Sequence, residues 1–256
     1  MARLSDRVAI VTGSSGGIGK ATVTAFAREG ADVVIHYRSK ETEAKALETE
    51  VAALGRKALL ARVDFADMKN VQTEVKNMVD STIKKFGRID ILVNLAGYPA
   101  RDEWNKRLLE LTAEDFFKPI NVDLFGSFLC ARAVAPEMVS KRRGVIVNVS
   151  STPALAGHDR GFAFTVAKAG IIGLTKALAF ELAPFVRVNT IALGNVETTW
   201  TEELSKEELA AARNENLIRR FGSQEEIAKT IVFLSSDDSS FINGQTLVLD
   251  GGTMLH

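Results

Sequence analysis

The stretch Val8-Ala9-Ile10-Val11-Thr12-Gly13-Ser14-Ser15-Gly16-Gly17-Ile18-Gly19-Lys20 decides the fold. Its first four residues are apolar and mostly β-branched, as a strand buried on both faces requires. A glycine-rich turn follows, and from Ala21 to Glu29 the apolar residues recur at helical spacing. Glycines at such a strand-to-helix turn let an anion approach the backbone, where free N–H groups and the positive end of the helix dipole meet it. The spacing Gly13-x-x-x-Gly17-x-Gly19 is not G-x-G-x-x-G, and no Gly-Lys-Ser/Thr follows as in a P-loop. The turn therefore predicts a nucleotide phosphate site of another pattern.

Outward from this turn the same alternation continues. Short apolar runs recur at Val8–Val11, Val33–Ile35, Ala58–Val63, Ile89–Val93, Val145–Val149, Val186–Ile191 and Thr246–Leu249. Between them lie helical patterns such as Thr42–Leu54, Val71–Phe86, Leu124–Val139 and Ala167–Leu182. This rhythm predicts an α/β fold, a doubly wound parallel sheet of Rossmann type with helices on both faces. No repeat or Pro/Gly-rich linker divides the 256 residues, so one domain is expected over 1–256. Ligands of such sheets lie beyond the carboxyl ends of the strands, which directs attention to the segment after each strand.

Composition narrows the partner. With 32 Lys+Arg against 32 Asp+Glu the formal charge is zero, without the basic excess that nucleic acids or anionic membranes require. A small-molecule ligand is the expectation. The lone Cys130 sits in the apolar run Phe128-Leu129-Cys130-Ala131 and reads as a core residue of a protein in a reducing compartment. The N-terminus carries no apolar signal stretch and no window reaches about 18 uninterrupted apolar residues, so the chain reads as cytoplasmic.

The post-strand segments form an ordered set. Thr12–Gly19 follows the first strand and Asp64 the third, Asn94-Leu95-Ala96-Gly97 the fourth, and Asn148-Val149-Ser150-Ser151 ends the fifth. Gly194-Asn195-Val196-Glu197-Thr198 follows the sixth, and Gly244-Gln245-Thr246 with Asp250-Gly251-Gly252 closes the chain. Over residues 5 to 252 this series resembles the short-chain dehydrogenase/reductase family, with its T-G-x-x-x-G-I-G turn, N-N-A-G and P-G-x-x-x-T. Leu193 stands where that family usually has Pro.

The resemblance implies hydride transfer between a nicotinamide and a carbonyl or secondary alcohol. It implies cofactor contacts at Gly13, Ser15, Gly17, Ile18, Gly19, Arg38, Ser39, Asp64, Phe65, Asn94, Ala96, Gly97, Lys168, Gly194, Val196 and Thr198, and no metal. An acidic residue ending the second strand would repel a 2′-phosphate, but Tyr37 and Arg38 stand there. The Arg38 cation and Ser39 hydroxyl suit that phosphate, so NADP(H) is preferred. Gly16, where NADP-selective relatives often carry a second cation, leaves NAD(H) open.

For catalysis the family uses Asn, Ser and a Tyr-x-x-x-Lys pair, which the resemblance places at Asn121, Ser151, Phe164 and Lys168. Tyr and Lys four apart share a helix face, so the cation lowers the phenol pKa. Here the first of the two is Phe164, a ring with no ionisable hydroxyl, flanked by Ala163 and Thr165. The family reaction is therefore expected to be impaired. Three readings follow: a reductase whose Tyr was replaced, an enzyme using another acid or non-redox chemistry, and a binding protein without catalysis. Tyr98 and His158-Asp159 are the substitute acids to weigh.

Val196 to Asn214, with Trp200 and Leu204, reads as a substrate lid or a surface helical hairpin. Arg101, Lys106 and Arg107 beside Trp104 read as a solvated basic helix face, or as a site for an anionic substrate tail such as a phosphopantetheine-linked acyl chain. The 3-oxoacyl-carrier-protein reductases and the sugar or polyol dehydrogenases are the branches most resembled, and relatives imply a homotetramer or homodimer.

Overall fold

Val8–Val11 forms β1, an interior strand of the seven-stranded sheet in a computed structural model that describes residues 2–198, 201 and 205–255. β2 (Asp32–Tyr37) and β3 (Ala58–Arg62) extend the sheet on one side of β1. β4 (Ile91–Asn94), β5 (Gly144–Ser151), β6 (Val186–Leu193) and β7 (Thr246–Leu249) extend it on the other. The order is β3-β2-β1-β4-β5-β6-β7, and every neighbouring pair is parallel. The chain reverses its direction across the sheet between β1 and β4, and at such a switch point a crevice opens beyond the strand ends.

Successive side chains of a strand point to opposite faces, so each face carries its own core. Ala9, Val11, Val33, Ile35, Ile91 and Val93 pack with Phe26 of α1 (Gly17–Arg28), Leu47 of α2 (Glu41–Ala53) and, from the far end of the chain, Ile231 of α9 (Gln224–Ser235). Ile10, Val34, Leu92 and Ile146 face the other way. They meet Val79 of α3 (Val71–Phe86), Val134 of α5 (Gly126–Ser140) and Ala179 of α7 (Phe162–Glu181). Cys130 lies in this second core, where burial pushes its thiol up to about 12 and leaves it inert at neutral pH. α7 is long and apolar enough to cross a membrane by composition, but it packs on β5 and β6 as a helix of the soluble core does.

Three short helices complete the frame: α4 (Ala113–Pro119), α6 (Pro153–Ala156) and α8 (Lys206–Asn214). Between α4 and α5 the chain forms one π-helical stretch, Ile120–Phe125. Such wide turns shift a side chain out of helical register and recur at functional sites. It holds Asn121.

Candidate active site

The first turn of α1 receives no side-chain cap, so its N–H groups are open to an anion. The chain must pass close to itself to reach it. Gly13 has φ +68, and a Cβ there would stand 2.9 Å from the Ala96 nitrogen; a Cβ on Gly19 would stand 2.2 Å from the Gly13 oxygen. Thr12 fastens this turn to the segment after β4, its hydroxyl accepting the Leu95 and Ala96 N–H groups at 3.0 Å each. Gly13–Gly19 and Ala96–Gly97 thus share one wall of the crevice. These features, an uncapped helix N-terminus behind an apposed glycine turn, fit the diphosphate of a dinucleotide.

Arg38 and Ser39 leave β2 exposed at the same edge. Asp64 turns the chain by accepting the Ala66 N–H at 3.0 Å, and Phe65 is buried against Gly126 and His36. Asn94 differs from the others: its side chain faces inward and donates to Asn148 at 2.8 Å, so its amide braces the ends of β4 and β5. Gly194 donates to the Leu249 oxygen at 3.0 Å, and Val196 pairs with Gly222. Trp200 and Leu204 of the expected lid lie outside the described residues; Lys206–Asn214 of it is α8, begun by a Ser205 capping box.

At the other end of the crevice Lys168 is nearly buried. Its Nζ donates to the Val149 oxygen at 3.1 Å, lies 3.0 Å from Asp123 Oδ2 and stands 5.5 Å from the centre of the Phe164 ring. Phe164 therefore occupies the position from which a phenol would face the cation. Asp123 was not foreseen from the sequence: it lies two residues after Asn121 in the π-helical stretch and is 1% exposed. Its other oxygen accepts the Tyr98 N–H at 2.6 Å. A Cβ on Gly97 would lie 3.7 Å from both Asp123 oxygens and 3.8 Å from Lys168 Nζ, so the ion pair lies directly beneath Gly97. Ser150 is buried and donates to the Lys168 backbone at 2.8 Å, whereas half-buried Ser151 donates to the Leu193 oxygen at 3.1 Å near the crevice.

The stretch Tyr98 to Arg107 is a loop, not a basic helix face, and its cations already have partners. Lys106 is 2.8 Å from Asp115 and Arg107 donates to the Asp159 oxygen at 3.1 Å. The reason is Asp115 and Glu103, two nearly buried carboxylates that need cations; Lys118 bridges them at 3.3 and 2.8 Å. The Tyr98 hydroxyl donates to Glu103 at 3.1 Å, and burial followed by that carboxylate pushes its pKa up. Tyr98, Glu103, Asp115 and Phe164 line one cavity of about 10 Å³, space for a single water. His158 is exposed, its ring 5.6 Å from Trp104, which in turn stands 5.5 Å from Phe164. A groove of about 520 Å³ runs between α1 and α9, and its charged lining includes the pairs Arg3–Glu29 and Lys20–Glu50.

Known proteins resemble this chain in sequence. The family pattern described as enoyl-(acyl carrier protein) reductase matches residues 13–254, which spans every segment of the crevice. The chain belongs to the short-chain dehydrogenase/reductase family of oxidoreductases. It is 40% identical over 254 residues to the 3-oxoacyl-[acyl-carrier-protein] reductase FabG of Thermotoga maritima, covering 99% of this chain and 100% of the relative. The 3-oxoacyl-[acyl-carrier-protein] reductase of Synechocystis is 39% identical over 257 residues, with 100% of both chains covered. At 39% over 253 residues and 98% of each chain stands (2S)-[(R)-hydroxy(phenyl)methyl]succinyl-CoA dehydrogenase subunit BbsD of Thauera aromatica.

Proposed function

We propose that this chain is a cytoplasmic NADP(H)-dependent reductase of 3-oxoacyl thioesters, interconverting the carbonyl and a secondary alcohol, whose proton-transfer position is filled by a ring without a hydroxyl. The observation that carries the reading is Lys168: a nearly buried cation 5.5 Å from the Phe164 ring and directly beneath Gly97, a placement with a purpose for a phenol and for a cofactor ribose. The names of the three relatives, each acting on a carrier- or CoA-linked acyl group, support the thioester.

The turn Gly13–Gly19 would hold the diphosphate, Arg38 and Ser39 the 2′-phosphate, Asp64 and Phe65 the adenine, and Lys168 with Gly97 the nicotinamide end, bordered by Ala96, Gly194, Val196 and Thr198. When bound, the nicotinamide supplies or takes the hydride. Ser151 holds the substrate oxygen by exchanging its bond to the Leu193 carbonyl for one to the substrate. Asn121 carries the π-helical stretch that sets Asp123 against Lys168. Phe164 donates no proton, so the oxygen must take its proton from water, which costs the reaction about 10² to 10⁴ in rate.

A second reading has Tyr98 as the acid, favoured by the cavity it shares with Phe164; His158, exposed behind Trp104, has no comparable support. In that case Tyr98→Phe abolishes whatever thioester reduction the parent performs, and unchanged turnover rejects it. Exposed Phe128, Val166 and Phe180 on α5 and α7 support assembly of the chain into a homodimer or homotetramer.

The cofactor assignment is tested by nicotinamide fluorescence. NADPH should bind at least about tenfold more tightly than NADH, and Arg38→Ala should remove that preference while leaving NADH affinity unchanged, since a charge-assisted bond to phosphate is lost. Equal affinities for the two cofactors in the parent would reject it.

A further inference from the structure

Three stretches expected around one nucleotide are far apart in the chain: the Gly13 turn, the end of β2 at Tyr37–Ser39, and Asp64–Phe65 after β3. A single side chain ties them together. His36, in β2 and only 3% exposed, accepts the Gly13 N–H at its Nδ1 (2.8 Å) and reaches the Val63 oxygen with its Nε2 (3.0 Å). Its ring packs on Phe65 with 5.1 Å between centroids. Its backbone takes part as well: the His36 N–H donates to Ser14 Oγ at 2.8 Å and its carbonyl accepts the Ser14 N–H at 3.2 Å.

The partners fix the tautomer. A backbone N–H only donates and a carbonyl only accepts, so Nδ1 is bare and Nε2 carries the hydrogen. Burial pushes the ring down to about 4, which keeps it neutral at ordinary pH. An apolar residue of equal size would fill the space but leave the Gly13 N–H and the Val63 oxygen unpaired in a dry interior.

We infer that His36 is a positioning residue for the dinucleotide, its neutral ring holding the Gly13 turn in register with the adenine wall at Phe65. The inference rests on the reading that this crevice takes NADP(H). His36 touches none of the expected ligand groups itself. It acts through Gly13, whose N–H it turns inward so that the remaining N–H groups of the turn face the phosphates.

The two ring nitrogens separate the roles. Asn at 36 places its amide oxygen near the Nδ1 position and keeps the acceptor for Gly13, whereas Gln places its polar end near Nε2 and keeps the tie to Val63. NADPH affinity is measured by nicotinamide fluorescence on the full chain carrying His36→Asn, His36→Gln or His36→Phe, with the melting temperature of each recorded alongside. The expected result is affinity within about threefold of the parent for His36→Asn and a loss of about tenfold or more for the other two, the cost of an unpaired buried donor. That split should persist when variants of equal melting temperature are compared. Equal losses for Asn and Gln, no loss in either, or affinity that follows melting temperature alone would overturn the inference. A parent that binds no NADPH would instead reject the cofactor assignment on which it rests.

Discussion

At the residue scale the site is built from buried polar groups, each held by specific partners. His36 gives the plainest consequence. Its folded value of about 4 lies below the 6.5 of an exposed histidine, so above pH 6.5 neither state takes up a proton there. Between 6.5 and 4 the unfolded chain protonates and the folded chain does not, so stability is lost as pH falls and the loss levels off below about 4. The full difference is about 3 kcal/mol. Urea unfolding at a series of pH values should show this decline in the parent and a shallower one in His36→Asn; parallel curves would contradict it. Lys168 depends on Asp123 through their ion pair: Asp123→Asn leaves a nearly buried cation without its counter-charge and should weaken NADPH binding or folding by a few kcal/mol, as breaking buried pairs does. Chemical denaturation together with NADPH titration checks this, and a silent variant would contradict the role given to the pair.

At the scale of elements, the loop Tyr98–Arg107 is held over Phe164 by its own packing. Gly161 has φ +66, donates to the Trp104 carbonyl at 2.8 Å, and a Cβ on it would fall 2.4 Å from the Trp104 ring. Gly161→Ala therefore combines a left-handed backbone with a ring displaced from Phe164, and should cost about 3 kcal/mol, several degrees in melting temperature. A variant melting with the parent would contradict that contact. The elements were legible to different degrees. Val8–Val11, Val71–Phe86 and Thr246–Leu249 agree with the sequence reading to the residue because uniform apolar patterns end at turn residues. α7 begins at Phe162, five residues before the expected Ala167, because Gly161 in the left-handed region starts it rather than a polar cap. α4 and α9 were not read, although Thr112-Ala113-Glu114-Asp115 and Ser223-Gln224-Glu225-Glu226 each announce a capping box. His36 and Asp123 gave no local signal: one looks like a polar interruption in a core strand, the other like a helix-surface acid. Their partners, Gly13 and Lys168, are distant in sequence and close only in the fold.

At the scale of the molecule, the sheet brings the glycine turn, the Arg38 edge and the Phe65 wall, on one side of the switch between β1 and β4, and the Phe164–Lys168 pair, on the other, to the carboxyl ends of its strands. The residues proposed to hold the cofactor and the substrate are gathered there, and on that proposal the chemical function lacking is a proton donor beside Lys168. The most direct measurement is therefore single-turnover oxidation of bound NADPH by an acetoacetyl thioester, comparing the parent with Phe164→Tyr at equal cofactor saturation. A new hydroxyl facing Lys168 should raise the rate by at least about a hundredfold, the lower range of a positioned general acid. A revertant that binds NADPH as the parent does and reduces the thioester no faster would contradict the account.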